Sequence, residues 1–230
     1  MMRIFDSLHS IYDKKACDCH SCLSSWEVTE AQKGVSFKKL TLCLDGATFG
    51  VIDDDFYKNI EKMTSDRSSF LADKNCDGVS FCEYEGTIHL LFVELKSSFS
   101  EIQKAFVQDF FTLMKIHMFL SICKDYNLEN IIIDFFAASS PFKNKDEESI
   151  ILDRLNMSDQ LKEACFIDKC FHNYLFKKKS TFMRIGDLPF IENKELHDTI
   201  MSSSIRFHIF TPKTYEESEG ALDLSLYFNQ

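Results

Sequence analysis

Two acidic side chains and an amine recur in this chain at a spacing suited to hydrolysis: Asp77, then Glu94 and Lys96, with seventeen residues from Asp77 to Glu94. Alternation at period two places Glu94 and Lys96 on one side of a strand and turns Leu95 toward the core. A hairpin joining the two segments would bring Asp77 beside Glu94, so that two carboxylates meet near one point. Such hard oxygens suit Mg²⁺ or Mn²⁺, with water filling the remaining positions. A cation held there lowers the pKa of a bound water and stabilises charge developing on a phosphate. Neither half of the pattern is specific alone. Glu192-Asn193-Lys194 repeats the Glu-x-Lys spacing, and Asp77-Gly78 also reads as an ordinary turn beside a surface ion pair of Glu94 with Lys96.

The elements around these residues narrow the choice. Asp53, Asp54 and Asp55 form an acidic cap before Phe56, Ile60 and Met63, which are spaced as a helical stripe. A loop with a brief strand at Phe70-Leu71 leads to a strand over Val79–Tyr84, a tight turn at Glu85-Gly86, and its partner over Thr87–Lys96. Leu90 and Phe92 share one face of that partner while Leu91, Val93 and Leu95 share the other, so both faces should be covered. Ser100 with Gln103 fits a capping box, and Ile102, Phe106, Phe110 and Leu113 continue a helix to about Tyr126, ended by Asn127. Asn130–Ala138 follows as a buried strand. Ahead of this stretch the pattern gives a Cys-rich turn, a short helix near Trp26–Gln32, a strand over Val35–Leu44 and a turn at Asp45-Gly46. Beyond it come a polar loop at Lys143–Glu148, a helix near Ser158–Phe176, a strand at Phe182–Ile185 and a short helix at Glu195–Met201. Strands at Ile205–Phe210 and Leu222–Phe228 complete the chain, and they extend the same sheet or form a second lobe.

An Asp opening one strand, Glu-x-Lys closing the next, then a helix and another strand, resembles the PD-(D/E)XK nuclease superfamily. The matching segments are Asn75-Cys76-Asp77-Gly78 and Val93-Glu94-Leu95-Lys96, within about a third of the chain, with Cys76 standing where the name-giving Pro would sit. The resemblance implies an α/β fold of restriction endonuclease type, an αβββαβ core with a mixed central sheet flanked by helices, plus a C-terminal α+β extension. It divides the chain into an N-terminal Cys-rich extension and strand (1–53), the nuclease-like core (54–140) and the extension (141–230). It implies a metal set of Asp77, Glu94 and Leu95 for Mg²⁺ or Mn²⁺. Lys96 would orient or help activate the attacking water and stabilise the transition state. Glu61 would be the extra acidic residue some members use, and Gln103 or Gln108 the polar contact from the helix after the Lys. The implied activity is metal-dependent hydrolysis of phosphodiester bonds, of DNA ahead of RNA, in defence or restriction. Two readings compete with it: a catalytically silent nuclease-fold subunit acting in protein–protein assembly, and an unrelated α/β interaction protein.

Composition sets the remaining expectations. With 45% hydrophobic residues, 23 Phe, and only three Pro and seven Gly, the chain suits one compact body. Met1–Lys15 holds no apolar core of signal-peptide length, and no stretch approaches the roughly 18 apolar residues of a membrane span, so a cytoplasmic protein without membrane contact is expected. Nine Cys then read as thiols or metal ligands. Cys17, Cys19 and Cys22 are free thiols by default, or with His20 they begin a zinc or iron–sulfur site completed by Cys165 and Cys170. His89 and His117 read as satisfied core residues. There is no Gly-rich phosphate loop, no G-x-S-x-G elbow and no protease-like Cys/His pairing. The net charge of −10 opposes a phosphate backbone. The local basic groups are Lys14-Lys15, Lys38-Lys39, Lys143 with Lys145, and Lys177-Lys178-Lys179. A nucleic-acid partner therefore implies a further protein subunit, or a homo-oligomer, that supplies positive charge.

Overall fold

The computed structural model describes residues 3–12, 17–18, 24–30, 36–58, 75–142, 145–161, 166–191, 196–214 and 216–228. Glu61, Ile60, Met63, Phe70-Leu71, Cys19, His20, Cys22, Cys165 and Glu192–Lys194 lie outside these residues. The fold is mixed α/β, with strands β1 (Cys17–Asp18), β2 (Ser25–Thr29), β3 (Lys39–Cys43), β4 (Thr48–Ile52), β5 (Gly78–Tyr84), β6 (Thr87–Lys96), β7 (Ile131–Ser139), β8 (Thr181–Arg184), β9 (Ser204–Phe210) and β10 (Glu219–Asp223). Its α-helices are α1 (Arg3–Ile11), α2 (Asp54–Lys58), α3 (Ile102–Leu120), α4 (Lys145–Leu161), α5 (Phe166–His172), α6 (Asp198–Ser202) and α7 (Ser225–Phe228).

Among the described residues, seven strands form one sheet in the order β1-β4-β5-β6-β7-β9-β8, and three form a second sheet in the order β10-β3-β2. In the first sheet β4, β5 and β6 are antiparallel neighbours. The α3 crossover makes β7 parallel to β6, β9 continues in parallel, and β8 closes that edge antiparallel. The C-terminal strands β9 and β8 thus extend the sheet that holds β5 and β6.

Strand β6 shows how sequence becomes packing. Leu90 and Phe92 enter a core shared with α1, α3, α5, β7 and β9. Leu91, Val93 and Leu95 face the opposite way, into a second core built with Trp26, Val28, Leu40, Leu42 and Leu222 of the small sheet. Leu90 through Val93 are all fully buried, and each such side chain contributes about 1.5–3 kcal/mol relative to exposure. A strand covered by helices on one side and a sheet on the other has no polar face to display, which explains the run TIHLLFVELK.

Several elements differ from the sequence expectation. Trp26–Gln32 does not start a helix: Ser25–Thr29 is β2, whose Trp26 and Val28 are buried while Glu27 and Thr29 are exposed. Thr48–Ile52, unassigned from sequence, is β4 and pairs with β5. The Ser100–Gln103 capping box does not form, because a 3₁₀ turn over Phe99–Glu101 intervenes and Ser98 caps that turn by accepting the Ser100 N–H. Helix α3 stops at Leu120 rather than Tyr126, and Asn127 caps a separate 3₁₀ turn at Leu128–Asn130. Lys145–Glu148 is the opening of α4, not a loop. The expected strand over Leu222–Phe228 splits into the end of β10 and α7, with the Asp223 carboxylate accepting the Ser225 N–H at 2.9 Å. Among the described residues no helix is long and apolar enough to cross a membrane.

Candidate active site

Antiparallel pairing sets Gly78 opposite Val93, and the Asp77 N–H donates to the Val93 carbonyl at 3.0 Å. The next rung of that register puts Asp77 opposite Glu94, where cross-strand Cβ atoms are about 4.5–5.5 Å apart. One Asp77 oxygen, Oδ2, accepts the Leu95 N–H at 2.7 Å. Lys96 Nζ donates to both Glu94 Oε1 and Gln108 Oε1. Asp77, Glu94 and Lys96 therefore meet at the C-terminal end of β6. Leu95 turns its side chain into the second core.

Asp77-Gly78 is not a turn here. Gly78 opens β5 with an ordinary φ, and a Cβ on it would lie 2.8 Å from the Trp26 ring and 3.0 Å from Val28. The glycine lets the small sheet press against the strand that carries Asp77.

Helix α3 grips the approach to Asp77 through polar side chains at helical spacing. Gln108 Nε2 donates to the Asn75 carbonyl at 3.0 Å, Thr112 Oγ1 accepts the Cys76 N–H at 2.9 Å, and buried Lys115 Nζ donates to Asn75 Oδ1 at 2.6 Å. From the other side, the Tyr57 hydroxyl of α2 donates to the Cys76 carbonyl at 3.3 Å. Of the two glutamines proposed from sequence, the structure brings Gln108 to Lys96. Gln103 lies exposed at the start of α3, five residues earlier, so the helix turn points it away.

Two acidic residues join the site that the sequence reading missed. Asp109 of α3 is fully buried, and among the described residues neither of its oxygens has a hydrogen-bond partner. It stood unnoticed inside an apolar helical run. Burial pushes its carboxyl well up, Glu94 and Asp77 add to the rise, and Lys96 opposes it. Glu30, after β2, adds negative potential at both Asp77 and Glu94. Asp77 is itself raised, by burial first and by Glu94 second, against the pull of the Leu95 N–H. Glu94 is raised because burial outweighs Lys96. Carboxyls held near one another and raised together form a site with more acidic groups than the one Lys96 ammonium offsets.

Donor chemistry fits a hard divalent cation. Glu94 Oε2 is buried without a partner among the described residues, and Asp77 uses Oδ2 for its bond to Leu95, so each residue retains an oxygen. Among the described residues no three His, Cys, Asp or Glu side chains are arranged as a ready-made metal cage. Mg²⁺ does not require one, since it is commonly held by one or two carboxylates and keeps several waters. Of the Cys proposed as zinc or iron–sulfur ligands, Cys17 contributes backbone to β1, and Cys170 is buried in the main core.

The sheet's other face carries a separate buried polar cluster. Asp134 accepts from Arg206 Nε at 2.6 Å and Nη2 at 2.8 Å, with His208 Nε2 at 2.7 Å and His89 Nδ1 at 2.9 Å. Burial works to raise the Asp134 carboxyl, but the bonds from His208 and His89 and the Arg206 charge hold it far below the usual range. His89 is thus a satisfied core residue, stacked on Phe228 of α7 at 3.7 Å. His117 likewise meets the Tyr126 hydroxyl at 2.9 Å.

Compared with known proteins, the chain matches no family model, no curated protein and no solved structure.

Proposed function

We propose that the chain is a metal-dependent nuclease of the PD-(D/E)XK type, hydrolysing phosphodiester bonds of nucleic acid, with DNA preferred over RNA. The observation that carries this reading is the convergence of Asp77, Glu94 and Lys96 at one strand end, with an unpartnered Glu94 oxygen and further carboxylates around a single Lys–Glu contact. The element series β4, β5, β6, α3, β7 is compatible with the βββαβ part of that superfamily's core, with α2 inserted between β4 and β5 and with β1, β2 and β3 separating the series from α1.

Asp77 and Glu94 would hold Mg²⁺ or Mn²⁺, with the backbone of Leu95 between them. Bound there, the cation would supply Lewis-acid stabilisation of phosphate charge and make a water more acidic. Lys96 is held by Glu94 and Gln108 with its ammonium at the rim of the site, its side chain 15% exposed. From there it can donate to a phosphate oxygen and position a water for in-line attack. Gln108 restricts the Lys96 side chain, and Asn75, through Lys115 and Gln108, fixes the backbone that presents Asp77.

A second reading, a silent nuclease-fold subunit, draws on the Glu94–Lys96 contact, which satisfies the ammonium internally and leaves Glu94 only 2% exposed. Incubating purified protein with plasmid DNA in Mg²⁺, in Mn²⁺ and in chelator separates the two. The nuclease reading expects cleavage only with metal, abolished by Asp77→Ala and by Lys96→Ala in variants that keep the wild-type circular dichroism spectrum. Undiminished cleavage by both variants sinks the residue assignment, and no cleavage of DNA or RNA by wild type favours the silent subunit.

A further inference from the structure

On a chain of net charge −10, the run Lys177-Lys178-Lys179 is its longest run of consecutive basic residues, and all three are exposed. Among the described residues none of the three ammonium groups forms an ion pair. Like charges crowded on adjacent residues repel, and an anionic partner relieves that cost.

Their backbone is fixed in an uncommon form. After α5 the helix widens into a π turn over Asn173–Lys177, and Lys178 adopts the left-handed conformation with φ 52°. The N–H groups of Lys178 and Lys179 both donate to the Asn173 carbonyl. Asn173 Nδ2 donates to Thr181 Oγ1 at 2.9 Å, and the Tyr174 hydroxyl lies 2.6 Å from Thr211 Oγ1. The lysines are therefore presented from a braced turn.

Two observations set this turn beside the carboxylates. Lys178 Nζ lies 5.4 Å from the centroid of the Tyr174 ring, which lies 5.9 Å from Phe99, three residues after Lys96. The strand register agrees. Thr181 is level with Phe207, Phe207 with Phe135 and Phe135 with Phe92. Because β8 runs antiparallel, residues before Thr181 continue toward the level of Glu94. Three strand spacings separate β8 from β6, roughly 14 Å, or about four nucleotides along one strand at about 3.4 Å each. Helix α5 packs into the same core as α3, so the turn and the Lys96 side chain share one side of the sheet.

We infer that the Lys177-Lys178-Lys179 turn grips the phosphate backbone of duplex DNA a few nucleotides from the bond presented to Asp77, Glu94 and Lys96. This inference rests on the nuclease reading above. Lysine acts as a point charge on phosphate and carries no base code, so the contact is sequence-independent. It offsets locally the repulsion that the net charge creates.

The test titrates a fluorescein-labelled DNA duplex with protein across a series of salt concentrations, with Ca²⁺ replacing Mg²⁺ so that charge is supplied without Mg²⁺'s compact octahedral geometry. The variants are Lys177→Gln/Lys178→Gln/Lys179→Gln and, as a control for net charge, Lys124→Gln/Arg184→Gln at the opposite end of the sheet. Each phosphate contact contributes about 0.9 to the slope of log K against log salt. The triple variant should flatten that slope by about 2–3 and weaken binding by about tenfold or more, while the control stays near wild type and both keep the wild-type thermal midpoint. A triple variant with the wild-type slope, from a chain that cleaves DNA in Mg²⁺, overturns the inference and leaves the nuclease reading intact. A loss in the control that matches the triple variant per charge removed also overturns it, since net charge alone would then explain binding. Wild type that neither binds nor cleaves removes the nuclease reading and the inference with it.

Discussion

Asp109→Asn is expected to change how the metal-free protein's stability depends on pH. Asp109 is fully buried, its two oxygens lack partners, and its carboxyl is held well above the ordinary range. A group raised on folding binds its proton more tightly in the folded than in the unfolded chain, so unfolding stability falls as pH rises. The contribution is fully present below the unfolded pKa of about 3.9 and is lost as pH climbs through the folded value. While Asp109 is neutral when folded and ionised when unfolded, the slope is about 1.4 kcal/mol per pH unit. Each pH unit spent in that regime costs about 1.4 kcal/mol, a large share of a typical 5–15 kcal/mol total. Asn keeps the shape and removes the proton. Urea denaturation of chelated protein at pH 5, 6, 7 and 8 reads the effect directly. Wild type should lose stability as pH rises, and Asp109→Asn should lose less, by up to about 1.4 kcal/mol per pH unit. Parallel curves for the two proteins would refute the reasoning.

Two further perturbations test how the frame supports the site. Asp134→Asn leaves Arg206 buried without its counter-charge, and losing one partner of such a pair costs about 3–5 kcal/mol. Its thermal midpoint should fall by roughly 10 °C, and a fall of under about 2 °C would show that the cluster does not depend on the charge. Gly78→Ala would drive a Cβ to 2.8 Å from the Trp26 ring, at a cost of about 1–3 kcal/mol. Because Asp77 adjoins the displaced strand, cleavage should fall along with the thermal midpoint. A variant as stable and active as wild type would mean that the small sheet moves aside freely.

The parts of the fold legible in the sequence were those where one pattern dominates locally. Strand β6 and the Glu85-Gly86 turn stood out because apolar residues on both faces and a turn at positive φ leave few alternatives; Glu85 and Gly86 have φ of 50° and 79°. Strand β2 was misread because Ser25–Thr29 is short and its alternation takes effect only through pairing with β3. Strand β4 carries Gly50 at its centre, which weakens a strand signal, and its partners β5 and β1 come from distant sequence. The helix end at Leu120 was hidden by the apolar residues Ile122 and Cys123 beyond it, one exposed and one buried after the chain has already turned. At the site, Asp77, Glu94 and Lys96 could be grouped because strand alternation and a hairpin are local rules. Asp109 and Glu30 could not, since only tertiary packing carries α3 and the end of β2 to the same place. The choice of Gln108 over Gln103 depended on where α3 begins, and the intervening 3₁₀ turn at Phe99–Glu101 had no clear sequence signature.

The proposed pairing of Asp77 and Glu94 around one cation can be read from Mn²⁺ binding by calorimetry in two buffers of different ionisation enthalpy. Both carboxyls are raised in the metal-free protein, so the cation must displace protons from them. The account predicts one Mn²⁺ per chain, proton release at neutral pH, affinity that weakens as pH falls, and loss of binding in both Asp77→Asn and Glu94→Gln. Neither variant should lower the thermal midpoint of the metal-free protein, because each replaces a carboxyl whose charge the fold resists. Mn²⁺ bound with undiminished affinity by both variants, or not bound at millimolar concentration by the wild-type chain, would contradict the account.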